Sequence, residues 1–313
     1  MKAQMLTGIR QFELADLKKP ALAKPNDVLL RILSVGVCGS DVHYYETGRI
    51  GSQIVEFPFV VGHECSAIVE EVGPSVKNLQ AGDQVSVDPL ISCGRCDQCR
   101  SGRINTCRYQ KFLGCPGQIP GCLCEYIVMP AQSCFPTSGK ITADQAVLCE
   151  PFAIGVYAVQ QAGLKTKDRI AILGAGPIGL SVLEAARVEG ITKIYMTDKI
   201  RERIETAEKA KAFWCGNPLQ QDIVKHILER EPVGLDAVFE CAGQQETMDQ
   251  SIDLLAPGGR LMLVGIPREE RVSFSPDRMR RKELTLINVR RQNECTQKAI
   301  DLVAENKVNI DYM

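Results

Sequence analysis

Four cysteines lie close together in the segment ISCGRCDQCRSGRINTC. Cys93, Cys96 and Cys99 are separated by two residues each, and Cys107 follows after a gap of seven. This spacing is typical of a zinc knuckle, although four unligated thiols are the alternative. Four thiolates around zinc form a closed tetrahedral site, which has no position for water or substrate. We therefore predict a structural zinc ion here and expect the chemistry elsewhere.

Two other fragments contain residues that bind metals. Cys38 occurs in GVCGSDVHYYETG, and His63 and Glu64 occur in VVGHECSAIVEEVG. A thiolate, an imidazole and a carboxylate are all zinc ligands. Each also has an ordinary interpretation, because free cysteine is often buried and a histidine can be a hydrogen-bonded core residue. The residue types alone do not bring these three side chains together in space.

A glycine-rich turn occurs in the second half of the chain. The segment ILGAGPIG places Gly174, Gly176 and Gly179 in G-x-G-x-x-G spacing, after an apolar run and before a helix-like one. The first glycine permits a tight turn, the second lets backbone approach a pyrophosphate, and the third lets helix pack against strand. The motif therefore predicts dinucleotide binding, with a purely structural turn as the alternative.

An acidic residue follows at the end of the next apolar run. Asp198 lies nineteen residues after Gly179, where a carboxylate accepts hydrogen bonds from the ribose 2′-hydroxyl and repels a 2′-phosphate. This favours NAD over NADP. The basic residues Lys199, Arg201 and Arg203 weaken that preference without reversing it.

The elements that must position these residues change character near residue 150. Before it, short β-rich runs such as DVLLRILSVGVC and CSAIVEEVG are separated by Gly, Pro, Asn and Asp. After it, strand-like runs such as RIAIL and KIYMTD alternate with helix-like ones such as PIGLSVLEAARVEG. This alternation predicts an α/β domain with a parallel sheet covered on both faces.

Composition excludes several classes of protein. The chain has 37 basic and 38 acidic residues, so no net field recruits nucleic acid or anionic lipid. No apolar run is long enough to span a bilayer, and the N-terminus lacks the apolar segment of a signal peptide. The fourteen cysteines then favour metal ligands and free thiols in a cytoplasmic protein.

Together these motifs resemble the zinc-dependent medium-chain alcohol dehydrogenase family over essentially the whole chain. GHE followed by VGxxV, the four-cysteine segment and GAGPIG occur in the family's order. CGSDVHYYETGRIG, CEPFAIGVYA and the Arg290/Asn293 pair in NVRRQN are closest to the sorbitol (polyol) dehydrogenase branch. The resemblance implies a GroES-like catalytic domain at 1–150 with a structural zinc lobe and a Rossmann NAD-binding domain at 151–291. Residues 292–313 would begin the return to the catalytic domain, and this returning segment would be incomplete.

The resemblance also implies roles for individual residues. Cys38, His63 and Glu64 would bind a catalytic zinc, with Glu150 as a further ligand or as the holder of zinc-bound water. Asp41 would orient His63, and Ser40 and His43 would form a proton relay. Tyr44, Glu150 and Arg290 would contact the substrate. The cofactor-binding residues would be Gly174, Gly176, Pro177, Ile178, Gly179, Asp198, Arg203, Val264, Ile266 and Ile287.

The implied reaction is hydride transfer from a secondary alcohol of a polyol or sugar acid to NAD⁺, which gives a ketone. Arg291 stands where the branch has a tyrosine, and a second positive charge would favour sugar acids over neutral polyols. An enzyme similar to L-threonine 3-dehydrogenase is an alternative, although that relative usually has Asp in place of Glu150. A non-enzymatic zinc-ribbon binding protein is a second. The resemblance further implies a homo-oligomer, a dimer or a homotetramer.

Overall fold

The structure is a computed structural model of the chain, and it describes residues 1–137 and 139–313. The described residues form two compact units. The first unit contains Met1–Glu150 and Thr296–Ala304, and the second contains Pro151–Cys295 and Glu305–Met313. The chain therefore returns to the first unit for a single helix and ends in the second.

The first unit consists mainly of strands. They are β1 (Lys2–Gly8), β2 (Gln11–Asp16), β3 (Asp27–Gly36), β4 (Arg49–Ile50), β5 (Gln53–Ile54), β6 (Phe59–Val60), β7 (Glu64–Val72), β8 (Gln84–Val87), β9 (Leu90–Ile91), β10 (Lys111–Phe112), β11 (Tyr126–Pro130) and β12 (Cys134–Pro136). Its helices up to the unit boundary are α1 (Gly39–Thr47), α2 (Asp97–Arg100) and α3 (Ala143–Ala162), and α3 continues into the second unit. Single 3₁₀ turns cover Ile104–Thr106 and Ala131–Ser133.

An antiparallel sheet of five strands forms the centre of the first unit, in the order β11-β3-β7-β8-β12. Its inner strands are rich in Val, Ile and Leu, which suit a pleated, buried surface. Val28, Leu30 and Val69 from these strands are almost completely buried in one hydrophobic cluster. This core gives β3 and β7 a fixed register, on which the site described below depends.

The second unit alternates strands and helices. Its elements are β13 (Arg169–Leu173), α4 (Pro177–Val188), β14 (Lys193–Thr197), α5 (Arg201–Lys209), β15 (Trp214–Gly216), α6 (Ile223–Arg230), β16 (Leu235–Glu240), α7 (Gln245–Leu254), β17 (Leu255–Leu263), α8 (Pro276–Arg281) and β18 (Thr285–Asn288). The chain then enters α9 (Thr296–Ala304), the helix that belongs to the first unit.

The six strands of the second unit form one parallel sheet in the order β15-β14-β13-β16-β17-β18. Numbered within the unit, this is the order 3-2-1-4-5-6 of a doubly wound dinucleotide-binding fold. The strand order reverses between β13 and β16, while all strands stay parallel. Strand β13 is buried from Ile170 to Leu173, as expected for a strand covered on both faces. The predicted fold class, a β-rich domain followed by a Rossmann domain, is confirmed.

Among the described residues, no helix combines the length and the apolar character that crossing a bilayer requires.

Candidate active site

Strand pairing in the first unit brings three possible metal ligands together. β3 and β7 are antiparallel, with Gly36 opposite Glu64. Cys38 follows the end of β3 and His63 precedes β7, so both lie at the same end of this strand pair. The ligand atoms of Cys38, His63 and Glu64 all lie within 4.8 Å of one another. Sulfur, nitrogen and oxygen are all zinc ligands, and three protein ligands leave a coordination position open for water or substrate.

A glycine makes room for the Glu64 carboxylate. A Cβ built on Gly36 would overlap Oε2 of Glu64 and would lie 3.0 Å from its Cβ. It would also lie 3.1 Å from Cγ1 of Val147, so the carboxylate has little space into which it could retreat. Any residue larger than glycine at this position therefore displaces the carboxylate from its place beside Cys38.

Asp41 connects two of the ligand segments. Its Oδ2 atom accepts a hydrogen bond from the backbone N–H of Cys38 at 3.1 Å, and Oδ1 accepts one from Gly62 at 3.2 Å. Nδ1 of His63 lies 3.7 Å from Asp41 Oδ1. Burial opposes protonation of His63, but interactions with Asp41 and Cys38 outweigh it and raise the pKa of His63 well above its ordinary value. Because Nδ1 faces Asp41, Nε2 is the atom available to a metal.

Buried negative charge is concentrated around this imidazole. Glu64 and Glu150 are 7% and 5% exposed. Burial is the main cause that raises the pKa of Glu64, and the charge of Asp41 adds to it. The charge of Glu150, at the end of the first unit in α3, contributes to the raised pKa of His63. A divalent cation would compensate this group of buried acids, so the donor set fits zinc in charge as well as in residue type.

Helix α1 begins directly after Cys38 and carries three further predicted site residues. Ser40 and His43 are one turn apart and both are half-buried. Tyr44 is only 4% exposed, and its hydroxyl donates to Oε1 of Gln53 at 3.1 Å. Tyr44 also packs in a small apolar cluster with Leu6, Val55 and Val61, so it anchors α1 to the unit. Its contact with substrate remains a prediction.

The four cysteines of the knuckle also converge. The Sγ atoms of Cys96 and Cys99 are 3.5 Å apart, and those of Cys93–Cys99 and Cys96–Cys107 are each 3.9 Å apart. Sulfurs bound at zinc–thiolate distance around a tetrahedral centre would lie about 3.8 Å from one another. The arrangement therefore fits a closed zinc site.

Backbone N–H groups and burial act on these thiols in opposite directions. The N–H groups of Cys99 and Arg108 lower the pKa of the Cys96 thiol to about 6, whereas burial raises the pKa of the Cys99 thiol to about 12. Sγ of Cys107 accepts hydrogen bonds from the backbone of Cys93 at 3.3 Å and Tyr109 at 3.4 Å. The nearby Arg108 side chain forms a two-pronged ion pair with Asp97, at 2.6 and 2.8 Å. The lobe is thus held by its own backbone and by one surface ion pair.

The glycine-rich turn in the second unit has the geometry that its spacing predicts. Gly174 has a φ of +110°, and a Cβ there would lie 3.0 Å from the backbone N of Ala242. A Cβ on Gly179 would overlap the carbonyl oxygen of Gly174. Gly176 precedes α4, which begins with Pro177, a residue suited to the first helical position. At Gly174 and Gly179, only glycine allows the turn to lie so close to the neighbouring backbone.

Asp198 lies immediately after β14 and beside this turn. Its Oδ2 accepts a hydrogen bond from the backbone of Ala175 at 2.9 Å, and its Oδ1 accepts one from Ile200 at 2.8 Å. Nη1 of Arg203 is 3.6 Å from Oδ2. The carboxylate is 9% exposed, so it ties two loops together as well as facing the adjoining pocket.

A pocket of about 290 Å³ opens beside the turn. Four predicted cofactor residues line it: Gly174, Gly176, Asp198 and Arg203. Sequence patterns point to Lys199 as a neighbour of Asp198 but not to the rest of the lining. That rest comes from the end of β14 and the loop after it, from Pro218, and from the loop after β16 with the start of α7: Thr197, Ile200, Pro218, Cys241, Ala242, Gln244, Glu246, Thr247 and Gln250. Topology offered a signal for the second group, because β16 is the neighbour of β13 across the switch point.

A buried acid holds the loop after β16 in place. Glu240 is 0% exposed, and its Oε1 accepts hydrogen bonds from the backbone of Ala242 and Gly243 and from the Thr247 hydroxyl, at 2.9, 2.8 and 2.7 Å. Burial raises the pKa of Glu240 although these bonds oppose the shift. Its carbonyl accepts from the backbone of Val264 at 2.9 Å. Glu240 therefore anchors the loop whose residue Ala242 lies against Gly174.

The remaining predicted residues of the second unit do not line this pocket. They are Pro177, Ile178, Gly179, Val264, Ile266 and Ile287. Pro177, Ile178 and Gly179 form the first turn of α4, and Ile287 lies in β18. Arg290 is an exposed residue in the loop between β18 and α9. Its neighbour Arg291 has a φ of +54°, an uncommon conformation for a residue with a side chain.

Comparison with known proteins places these features in a family. A family model described as alcohol dehydrogenase GroES-like domain matches residues 24–139, and one described as zinc-binding dehydrogenase matches residues 177–305. Sorbitol dehydrogenase of Bacillus subtilis (strain 168) is 33% identical over 314 residues, which cover 100% of this chain and 88% of that protein. The chain belongs to the zinc-dependent medium-chain alcohol dehydrogenases.

Two further relatives agree with this membership. L-idonate 5-dehydrogenase of Vitis vinifera is 34% identical over 315 residues, which cover 98% of this chain and 85% of that protein. A solved structure from Sinorhizobium meliloti 1021, described as a zinc-binding dehydrogenase bound to NADP, superposes with a TM-score of 0.91 at 31% identity and covers 100% of this chain and 90% of that one. The predictions of an oxidoreductase and of zinc and nicotinamide cofactors are confirmed, and the non-enzymatic zinc-ribbon alternative is set aside.

Proposed function

We propose that this dehydrogenase oxidises a secondary hydroxyl of a polyol or sugar acid to a ketone, with NAD⁺ as the hydride acceptor. The observation that carries the proposal is the open ligand set of Cys38, His63 and Glu64 beside a second buried carboxylate, Glu150. Two carboxylates make an oxygen-rich site, which suits a substrate that offers adjacent hydroxyls. The named activities of the relatives from Bacillus subtilis and Vitis vinifera support the same substrate class.

The residues of the first unit would divide the work. Cys38, His63 and Glu64 would hold a zinc ion, which would supply Lewis-acid activation of a bound hydroxyl, and a bound nicotinamide would supply the hydride acceptor. Asp41 lies beside Nδ1 of His63 and would leave Nε2 for the zinc. The Ser40 hydroxyl would take the substrate proton and pass it towards His43, one turn further along α1. Glu150 would be a ligand or would hold water.

The second unit would bind the dinucleotide, with the pyrophosphate at the start of α4 and the adenosine ribose at Asp198. The oxygen atoms of Asp198 can still accept from a ribose hydroxyl, because each carboxylate oxygen has two acceptor positions.

Cys93, Cys96, Cys99 and Cys107 would hold a structural zinc. Arg290 and Tyr44 would contact the substrate.

The cellular setting is part of the same proposal. All fourteen cysteines lie among the described residues and none forms a disulfide there, and thiol metal sites of this kind persist in a reducing compartment, so we place the protein in the cytoplasm. We also propose a homo-oligomer, a dimer or a tetramer, as the family resemblance implies. Light scattering on the purified protein would measure the mass directly, and a monomer would contradict this part.

A substrate panel tests the activity. NADH formation would be followed at 340 nm with sorbitol, xylitol, L-idonate, ethanol and L-threonine, at matched concentrations of NAD⁺. We expect kcat/KM for the best polyol or sugar acid to exceed that for ethanol by about two orders of magnitude or more, since a site built to bond several hydroxyls rejects analogues that lack them. Efficient ethanol oxidation, or a clear preference for threonine, would contradict the proposal.

A further inference from the structure

Two cations on the wall of the nucleotide pocket are both matched by carboxylates. Nζ of Lys199 lies 2.7 Å from Oε2 of Glu246 and 3.1 Å from Oε1 of Gln244. Nη1 of Arg203 lies 3.6 Å from Oδ2 of Asp198. All five side chains line the pocket. The formal charges of Asp198, Lys199, Arg203 and Glu246 therefore sum to zero, although two of these residues are basic.

The backbone on each side fixes where these charges stand. Asn217 donates from Nδ2 to the carbonyl of Lys199 at 3.1 Å, which holds the loop after β14. Glu246 lies in the first turn of α7, and Nε2 of Gln250 donates to its Oε1 at 3.4 Å. The ion pair of Lys199 with Glu246 thus links the loop after β14 with the first turn of α7, two segments that both line the pocket.

The ligand group that these charges would attract or repel is the 2′-phosphate that distinguishes NADP from NAD. In this fold the adenosine ribose lies at the acid that ends the second strand, and enzymes that accept a 2′-phosphate provide a basic side chain beside it. Lys199 is the residue after that acid, Asp198. A phosphate monoester carries a charge between −1.5 and −2 near neutral pH, so a free cation at Lys199 would attract it.

We propose that Glu246 is a specificity-determining residue, which selects nucleotides without a 2′-phosphate by holding Lys199 and by adding a negative charge to the pocket wall. This inference rests on the proposed function, because it assigns the pocket to the adenosine half of a dinucleotide. It differs from the role of Asp198, which acts on the ribose directly. Glu246 acts through its ion pair with Lys199 and through its own negative charge.

The expected effect is moderate. The side chains of Lys199 and Glu246 are 37% and 52% exposed, so water and salt screen the interaction. Exposed ion pairs contribute about 1 kcal/mol or less, which corresponds to an affinity change of about fivefold or less.

Nucleotide binding tests the proposal without any catalytic step. The affinities of adenosine 5′-monophosphate and adenosine 2′,5′-bisphosphate would be measured by calorimetry on the whole protein and on Glu246→Gln. We expect the variant to bind the bisphosphate about two- to fivefold more tightly and the monophosphate unchanged, and the gain to shrink as salt is raised. The unchanged monophosphate affinity also controls for the fold of α7, whose first turn loses a favourable charge.

Two further variants isolate the cause. Glu205→Gln removes an exposed carboxylate that is paired with Arg201 at 2.9 Å but does not line the pocket, and we expect no change in either affinity. Lys199→Gln combined with Glu246→Gln should abolish the gain. An unchanged bisphosphate affinity in Glu246→Gln, an equal gain in Glu205→Gln, or a gain that survives the loss of Lys199 would overturn the inference. If the unaltered protein bound neither nucleotide, the proposed function itself would fail.

Discussion

The two cysteine-containing clusters of the first unit use similar ligands but are built in opposite ways. All four ligands of the closed cluster lie within residues 93–107, and their own loop brings them together. The open cluster joins Cys38 to His63 and Glu64, which meet only because β3 pairs with β7. The surroundings differ as well. Backbone N–H groups adjust the closed cluster, whereas the ionisable side chains of Asp41 and Glu150 surround the open one.

This difference indicates which cluster can do chemistry. A closed set of thiolates stabilises a loop, since every coordination position is filled by protein. An open set among buried acids can alter the charge of whatever binds there. Variants of the two clusters should therefore separate turnover from stability, and the predictions below run from the largest expected effect on turnover to the smallest.

Replacing the thiolate of the open cluster should have the largest effect. Cys38→Ser weakens metal binding where the hydroxyl is to be activated, and Lewis-acid activation contributes several kcal/mol. We expect kcat with the best polyol to fall about a thousandfold or more. The melting temperature should change little, because Cys38 is only half-buried. Cys149→Ala, a buried cysteine outside both clusters, is the control and should keep turnover. Unchanged turnover in Cys38→Ser would rule out the assignment.

Gly36→Ala should reach the same site by displacing a neighbour. The new methyl group would overlap the Glu64 carboxylate, so we expect zinc to bind more weakly and kcat to fall on the order of a hundredfold. Gly39→Ala is a matched control, since a Cβ there meets nothing within 4 Å. Turnover and zinc content would be measured together on both variants. Equal turnover in the two would show that the position of Glu64 does not matter.

Asp41→Asn should have a smaller effect, because it changes the partner of a ligand and leaves the ligand itself. The amide keeps the size of the side chain but removes the charge that faces Nδ1 of His63. Such partners typically contribute about 10- to 100-fold to metal affinity or activity. We expect turnover to fall by that factor and to recover in part when zinc is added. A variant with normal turnover at limiting zinc would contradict the role of Asp41.

Cys96→Ser in the closed cluster should affect turnover least. Losing the structural ion should lower the free energy of unfolding by about 3 kcal/mol or more, an effect expected from loss of a metal site. The molecules that remain folded should keep their kcat. Thermal unfolding and turnover at a temperature well below the transition would be compared. A large loss of kcat in fully folded Cys96→Ser would remove the distinction between the two clusters.

The same contrast explains how much of the site the sequence could predict. The closed cluster was found from spacing alone, because all its ligands are local in sequence. For the open cluster, the sequence shows three residues of metal-binding type but does not show that they lie close together in space. Their proximity depends on the long-range register of Gly36 with Glu64. Within the sequence, only the resemblance to a family joins Cys38 to His63 and Glu64.

The pocket beside Gly174 also has one part that local sequence patterns predict and one part that they do not. The turn at Gly174 and the acid Asp198 follow each other along one β-α-β segment, so local patterns predicted them. The lining residues from Cys241 to Gln250 come from the loop after β16 and the start of α7, which follow in sequence only after β15 and α6. This segment carries no motif, and the buried contacts of Glu240 that shape it depend on tertiary packing. A pattern within one segment could not have indicated it.

Cobalt substitution tests the division of duties most directly. Co²⁺ would replace zinc in the unaltered protein, and absorption spectra would be recorded before and after addition of the best polyol or sugar acid. We predict that substrate shifts the bands of the ion at Cys38, His63 and Glu64 and leaves those of the four-thiolate ion unchanged. The shift should persist in Cys96→Ser and vanish in Cys38→Ser. A substrate-induced shift that survives in Cys38→Ser and is lost in Cys96→Ser would contradict the account.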